Sequence, residues 1–186
     1  MTKMRKAAWI LGGVLFAVAS IAINYYVKVT MHEGHSGSVQ QMGSIEVGKP
    51  PPEFSLNDLS NNIVSLNSFR GQKVVLLDFW ATWCGPCRMA MPGLQDLKDK
   101  FKDRGLEILS INEGEGIDQV RSFIVQKKYS FQVLLDSDGG VGAKFGVRGI
   151  PTTVLIDKKG IIQRIQVGYS RNEDELKDMV DRFTKQ

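Results

Sequence analysis

The sequence predicts a mixed α/β domain in which helices flank one β-sheet. The first observation is an apolar run rich in strand formers, Val74–Trp80, followed by residues 88–98 with helical periodicity and a proline at Pro92. The second is that both cysteines of the chain, Cys84 and Cys87, lie where this strand passes into the helix. The third is the alternation of β-branched runs and helical stripes that continues to the C-terminus.

Length and composition are those of an ordinary globular protein. The chain has 186 residues, of which 42% are hydrophobic and 24% charged, and its net charge is +4. Part of that charge comes from Lys3, Arg5 and Lys6, and the sequence contains no basic block with interleaved aromatic residues. We therefore expect no nucleic-acid partner.

Residues 1–29 are predicted to be an N-terminal transmembrane anchor or a signal peptide. Residues 7–23 carry no charge and, extended by residues 24–27, reach the lower end of a membrane-spanning helix. The basic flank before them predicts a cytoplasmic N-terminus and a domain on the outer side. Ala17-Val18-Ala19 has the pattern of a cleavage site, but the apolar run continues beyond it, so we favour an uncleaved anchor.

Residues 30–47 are predicted to be a flexible linker because they are polar, contain Gly and Ser, and have no apolar periodicity. Met31, His32, His35 and Met42 carry thioether and imidazole groups that could bind copper. The simpler interpretation is a solvated linker whose histidines bind nothing. The folded domain is predicted to span residues 48–186.

The elements of this domain are expected in a definite order. Residues 54–56 and 63–66 flank a turn-rich stretch and predict a β-hairpin, with a short helix near residues 68–70. After the strand and helix around the cysteines, we expect a strand over 106–112, a helix over 117–128, a strand over 131–135 and a helix over 141–145. Strands over 153–156 and 161–167, joined by a turn at 158–160, precede a closing helix over 172–184 that Asn172 caps.

The segment Cys84-Gly85-Pro86-Cys87 has the spacing of a redox-active cysteine pair. Cys84 falls near a helix N-terminus, where unpaired backbone N–H groups favour a thiolate, and Cys87 lies about one turn further along. We therefore expect Cys84 to attack and Cys87 to resolve. A zinc site and a purely structural disulfide are the alternatives, but zinc usually takes four ligands and structural bridges mostly close longer loops. No other cysteine is present to serve a peroxidase.

Three separated motifs carry a resemblance to a known family. Residues 78–87, with Pro92 five residues on, resemble the active-site segment of thioredoxin, and residues 145–152 and Val167-Gly168 resemble its second and third signatures. The hairpin before the first motif is similar to that of the membrane-tethered TlpA/ResA-type proteins, a family associated with extracytoplasmic thiol reduction, including cytochrome c maturation. The resemblance implies a thioredoxin fold, with a central mixed β-sheet flanked by helices, an N-terminal β-hairpin extension and a central insertion, preceded by one transmembrane helix.

The resemblance also implies roles for two carboxylates. Asp78 matches a buried aspartate beneath the cysteine pair, which would exchange a proton with Cys87, and burial would raise its pKa. Glu115 aligns with an active-site glutamate that tunes the cysteine pKa values, although Glu113 in the same loop makes the assignment ambiguous. Each carboxylate could instead face solvent.

The expected client-binding residues follow from the same motifs. Pro151 matches the cis-proline that faces the disulfide, and the Ile150 backbone beside it could pair with an extended client. Trp83 and Ile150 would form an apolar rim, although plain packing is the alternative for Trp83. Gly85 and Pro86, between the cysteines, complete the expected client-binding set.

The expected function is reduction of disulfides in exported client proteins, with apocytochrome c as the favoured client. Gly85-Pro86 is also the thioredoxin pair, whose potential near −270 mV is on the reducing side. Many cytochrome-maturation relatives carry an acidic residue where Gly85 stands, which leaves a general extracytoplasmic reductant open. A CcdA/DsbD-like membrane thiol donor would recharge the pair, and no cofactor or metal is expected. The alternatives are a thiol oxidant or isomerase, and a copper chaperone that uses the cysteine pair.

Overall fold

The computed structural model describes residues 21, 23, 43–170 and 174–186, and the chain divides into the units 1–41 and 42–186. The predicted anchor over residues 1–29, most of the predicted linker and the predicted cap Asn172 lie outside the described residues. Within the described part of the chain, no helix has both the length and the apolar character needed to cross a membrane. Every element below belongs to the second unit.

A seven-stranded mixed sheet forms the centre of this unit, in the order β2-β1-β5-β4-β3-β6-β7. The strands are β1 Ser55–Asp58, β2 Ile63–Ser65, β3 Val74–Trp80, β4 Leu106–Glu113, β5 Gln132–Asp136, β6 Thr152–Ile156 and β7 Ile162–Val167. Strand β3 pairs parallel with β4 and antiparallel with β6, and all seven of its residues are buried. Burial on both faces explains why its sequence is continuously apolar instead of alternating.

Four α-helices among the described residues cover the sheet: α1 Gly85–Phe101, α2 Ile117–Lys127, α3 Gly140–Phe145 and α4 Asp174–Thr184. Helices α1, α2 and α4 pack on one face, in a cluster that includes Leu76 and Trp80 of β3. Helix α3 packs on the other face, where Phe145 contacts Phe79 of β3 at 5.4 Å between ring centroids. The alternation of side chains along β3 therefore divides the core into two apolar layers.

The predicted N-terminal hairpin is confirmed, and so is the short helix after it, a 3₁₀ helix over Leu66–Phe69. In the turn, the carboxylate of Asp58 accepts hydrogen bonds from the backbone N–H groups of Ser60 and Asn62, while Asn61 has a positive φ of 63°. Asparagine tolerates this conformation better than most residues, which explains its position here.

The predicted central insertion and the hairpin belong to the same edge of the sheet. Helix α2 and strand β5 lie between β4 and α3 in the chain, and β5 pairs with β1 through Asn57 opposite Leu135. The two additions therefore extend the sheet together, on the side away from β6 and β7. Helix α2 of the insertion lies beside the segment that precedes α1, where Gln119 Nε2 donates to Thr82 Oγ1 at 2.8 Å.

Among the described residues, Gly43 and Ile45 of the predicted linker (residues 30–47) already contact the folded unit. The Gly43 N–H donates to the carbonyl oxygen of Ala143 at 3.0 Å, and Ile45 packs on the same apolar layer as Phe145. A Cβ atom on Gly43 would lie 1.7 Å from the carbonyl oxygen of Lys144, so the close approach of these two backbones requires glycine.

Candidate active site

The two cysteines lie at the start of α1 and are joined in a disulfide with Sγ atoms 2.00 Å apart. Cys84 is the N-cap residue of the helix, and its sulfur accepts a hydrogen bond from the Cys87 N–H at 3.2 Å. Pro86 occupies the first turn, where a missing N–H costs nothing. The predicted strand-to-helix position of the pair is confirmed.

The surroundings of Cys84 favour negative charge on its sulfur. The first turn of α1 has no acidic residue, while its free N–H groups and the helix dipole present positive charge. The bond from the Cys87 N–H would stabilise a thiolate after reduction. Both cysteines are nearly buried, Cys84 with 4% and Cys87 with 2% of its surface exposed, so their order of reaction is argued from the N-cap position of Cys84 and not from exposure.

Asp78 is buried in the middle of β3, with 1% of its surface exposed. Leu76 and Trp80, two positions before and after it, belong to the buried cluster that also contains both cysteines, which we call the cysteine cluster. Because side chains alternate along a strand, Asp78 lies on that same sheet face. The Ser110 hydroxyl donates to Oδ2 at 3.2 Å, and Oδ1 has no hydrogen-bond partner. Burial raises the pKa of Asp78 to about 7, against a smaller lowering by Ser110. The alternative in which Asp78 faces water is wrong; its catalytic role stays a prediction.

Glu115 connects the β4–α2 loop to the segment before Cys84. Its Oε2 accepts from the Thr82 N–H at 2.6 Å and from Asn112 Nδ2 at 2.7 Å. Its Oε1 accepts from Thr82 Oγ1 and from Gln119 Nε2, both at 2.6 Å. The carboxylate is therefore enclosed by donors and is 8% exposed, so it is not a solvent-facing loop charge.

Glu113, the other glutamate of this loop, contacts a different part of the fold. Its carboxylate lies against Gly142 of α3, where a Cβ atom would approach Oε1 to 2.5 Å. Burial raises the pKa of Glu113 to about 7, and the charge of Asp136, its partner across β4 and β5, adds to the effect. Asp136 in turn accepts bonds from the N–H groups at the start of α3. Of the two glutamates, Glu115 is the one that contacts the active-site segment.

An accessible rim surrounds the disulfide. The Ile150–Pro151 peptide bond is cis, and the carbonyl oxygen of Ile150 lies 3.7 Å from Cys84 Sγ. Trp83 is 71% exposed, so simple packing does not account for it, and Gly85 and Pro86 are exposed as well. These groups meet where a client would approach Cys84; their binding role stays a prediction.

Sequence reasoning did not find the residues that position Glu115. Thr82, Asn112 and Gln119 donate to its carboxylate, and Gln119 also donates to Thr82 Oγ1 at 2.8 Å. Thr82 lies within the thioredoxin-like segment of residues 78–87, and Asn112 is the last residue of the predicted strand over 106–112, so the sequence carries a signal near both. Gln119 carries no such signal, because only the packing of α2 beside the active-site segment brings it there.

Among the described residues, no group of three or more His, Cys, Asp or Glu side chains could hold a metal ion. His32 and His35, on which the copper hypothesis for the linker rests, lie outside the described part of the chain. That hypothesis therefore stays a prediction.

Comparison with known proteins identifies the family. The family model for AhpC/TSA matches residues 47–165, which is more than half of the chain. The chain belongs to this family. Its fold is accordingly the thioredoxin-like α/β fold that the three motifs predicted.

Similar proteins narrow the relationship within the family. The thiol-disulfide oxidoreductase ResA of Bacillus cereus is 31% identical over 182 residues, covering 97% of this chain and 99% of that protein. A protein of Chlorobium tepidum described as a thiol:disulfide interchange protein DsbE is 31% identical, with a TM-score of 0.69 over 75% of this chain and 98% of its own. The thioredoxin domain of a thiol-disulfide oxidoreductase from Bacteroides vulgatus is 29% identical, with a TM-score of 0.67; the match covers 75% of this chain and 99% of that domain. With the Cys84–Cys87 disulfide, these relatives make this chain a thiol–disulfide oxidoreductase.

Proposed function

We propose that the protein reduces disulfides in client proteins on the outer side of the cytoplasmic membrane, with apocytochrome c as the favoured client. The observation that carries the proposal is the Cys84–Cys87 disulfide at the start of α1, with an exposed rim around it. Thiol–disulfide exchange requires that a protein-sized partner reach the attacking sulfur, and the exposed Trp83 and Gly85 flank that sulfur in the chain.

Reduction proceeds by two exchanges. The Cys84 thiolate attacks one sulfur of the client disulfide, so that a Cys84–client bond forms, the client S–S bond breaks, and the other client sulfur leaves as a thiolate. The Cys87 thiolate then attacks Cys84 Sγ, which closes the Cys84–Cys87 disulfide and releases the second client thiolate. Two electrons pass from the cysteine pair to the client, and the client thiolates take up protons from water.

Asp78 is the group that we assign to remove the proton of Cys87. Its pKa of about 7, caused by burial, allows it both to accept and to release a proton near neutral pH. Its place on the sheet face beneath the cysteine cluster supports this assignment. Glu115 is a positioning residue in this scheme, since it contacts Thr82 and not the sulfurs.

We infer the reducing direction from the Gly85-Pro86 pair between the cysteines, which is shared with reducing thioredoxins. We place the domain outside the membrane because of the charge pattern before the apolar run of residues 7–23, and we expect residues 1–29 to remain as an anchor. The compartment is oxidising, so a CcdA/DsbD-like membrane thiol donor would return the pair to its reduced state.

Client trapping tests the proposal. In Cys87→Ser the second exchange is blocked, so we expect mixed disulfides that dithiothreitol releases, with apocytochrome c among the attached proteins. The matched control Cys84→Ser should trap none, and trapping there at equal yield would overturn the assignment of the attacking sulfur. A measured potential near that of thioredoxin supports the reductant, whereas one near −120 mV, typical of strong oxidants, would favour the oxidant alternative.

A further inference from the structure

A groove runs beside the disulfide, between the first turns of α1 and one side of α2. It consists of two adjoining shallow hollows, open to solvent, of about 730 Å³ and about 300 Å³, that share Arg88, Phe123 and Lys127. The smaller hollow extends to Gly85, the residue after Cys84, and the larger extends along α2. We call this the α1–α2 groove. A chain bound at Cys84 would therefore meet it within a residue or two.

The α1–α2 groove carries positive charge without a counterion. Arg88 and Lys127 are both exposed, and among the described residues neither side chain has an ion-pair partner. The nearby carboxylates are already engaged, because Asp118 pairs with Arg121 and Glu115 is enclosed by its donors. Two unpaired cations thus border one recess.

The same groove offers apolar surface between its charges. Phe123 is half-buried and its ring packs against that of Trp80, with 5.4 Å between the ring centroids and an interplanar angle of 40°, so it is held in place. Met89 is 57% exposed at the edge of the smaller hollow. The α2 side of the groove belongs to the central insertion. The other side is supplied by α1 and the segment before it, which carry the cysteines.

We propose that the α1–α2 groove binds the client segment that flanks the attacked cysteine, and that it selects segments with Asp or Glu there over segments with Lys or Arg. Charge complementarity is the argument: a carboxylate on the client would supply the missing partner of Arg88 and Lys127. Such contacts at the rim of an interface act mainly on the association rate, and salt weakens them. The inference rests on the proposed function, since it names a client property for the same site.

Three cyclic disulfide peptides test this selectivity. They are identical except for the two residues before the first cysteine, which are Glu-Glu, Gln-Gln or Lys-Lys. The reduced full-length protein in a non-ionic detergent is mixed with each peptide, and each rate constant is divided by that of dithiothreitol with the same peptide. This division removes the intrinsic reactivity of the peptide. At low salt we expect the normalised rate constant for the Glu-Glu peptide to exceed that for the Lys-Lys peptide about tenfold. This ratio should fall towards one at about 0.5 M salt.

Two lysine variants assign the effect to the groove. Lys127→Gln should lower the ratio by about threefold. Lys128→Gln removes the same charge from the next residue, which does not line either hollow, and should leave the ratio unchanged. An unchanged ratio in Lys127→Gln, or an equal fall in both variants, would overturn the inference while leaving the reductase proposal intact. If no peptide is reduced at all, the proposed function itself is wrong.

Discussion

At the scale of single residues, Asp78 links the chemistry of the site to the stability of the fold. The unfolded carboxyl titrates near 3.8, whereas burial raises the folded pKa to about 7. Between these values the native state retains a proton that the unfolded state has lost, so stability falls as pH rises through this window. A buried carboxyl with one unpaired oxygen is therefore costly at neutral pH.

Asp78→Asn should raise the free energy of unfolding by on the order of 2 to 4 kcal/mol at pH 8, with little change at pH 4. The reason is that an amide cannot become charged in the apolar layer. Chemical denaturation of the oxidised protein at both pH values measures the difference. The same variant should also lose the part of the pH dependence of client reduction that is centred near 7.

Asp136 provides a matched control, since it is equally buried but lies in a different environment. Its carboxylate accepts from the N–H groups of Val141 and Gly142 at the start of α3. We therefore expect Asp136→Asn to destabilise the protein. If Asp78→Asn were also destabilising at pH 8, the raised pKa that we assign to Asp78 would be wrong.

At the scale of elements, Glu115 joins the β4–α2 loop, helix α2 and the active-site segment. Glu115→Gln keeps the size of the side chain but removes its charge and turns one of its acceptors into a donor facing Thr82 or Asn112. We expect a loss of about 1 to 3 kcal/mol in the free energy of unfolding. Asp118→Asn, three residues further along in the first turn of α2 and with a side chain that is 93% exposed, should change it by less than about 0.5 kcal/mol. Equal losses of unfolding free energy in the two variants would show that the hydrogen bonds to the Glu115 carboxylate do not stabilise the fold.

The elements themselves were largely predictable from local patterns. Strand β3 and helix α1 follow from an apolar run and a helical stripe, which depend on neighbouring residues only. The pairing of β1 with β5 was not predictable, because these strands lie far apart in the chain and their hydrogen bonds carry no residue-type signal. Only that pairing brings the hairpin and the insertion to the same edge of the sheet.

At the scale of the whole molecule, the contribution of residues 43–47 to the stability of the folded unit can be measured. A chain of residues 43–186 should be more stable than one of residues 48–186 by about 1 to 2 kcal/mol, because the shorter chain lacks the Gly43 hydrogen bond and the packing of Ile45. Thermal unfolding of both chains measures this. Gly43→Ala in the longer chain should give a similar loss, since its Cβ would clash with Lys144. Identical midpoints for the two chains would place the boundary at residue 48.

The sequence by itself determined the order of the elements, the cysteine pair at a helix N-terminus and the family to which the chain belongs. These depend on short motifs and on periodicity, which are local properties. Tertiary structure alone decided which loop glutamate contacts the active-site segment, where Gln119 and Lys127 lie, and how little of Asp78 reaches water. The physical reason is that burial, hydrogen-bond partners and unpaired charge are properties of side chains brought together from distant parts of the chain, and no local pattern encodes them.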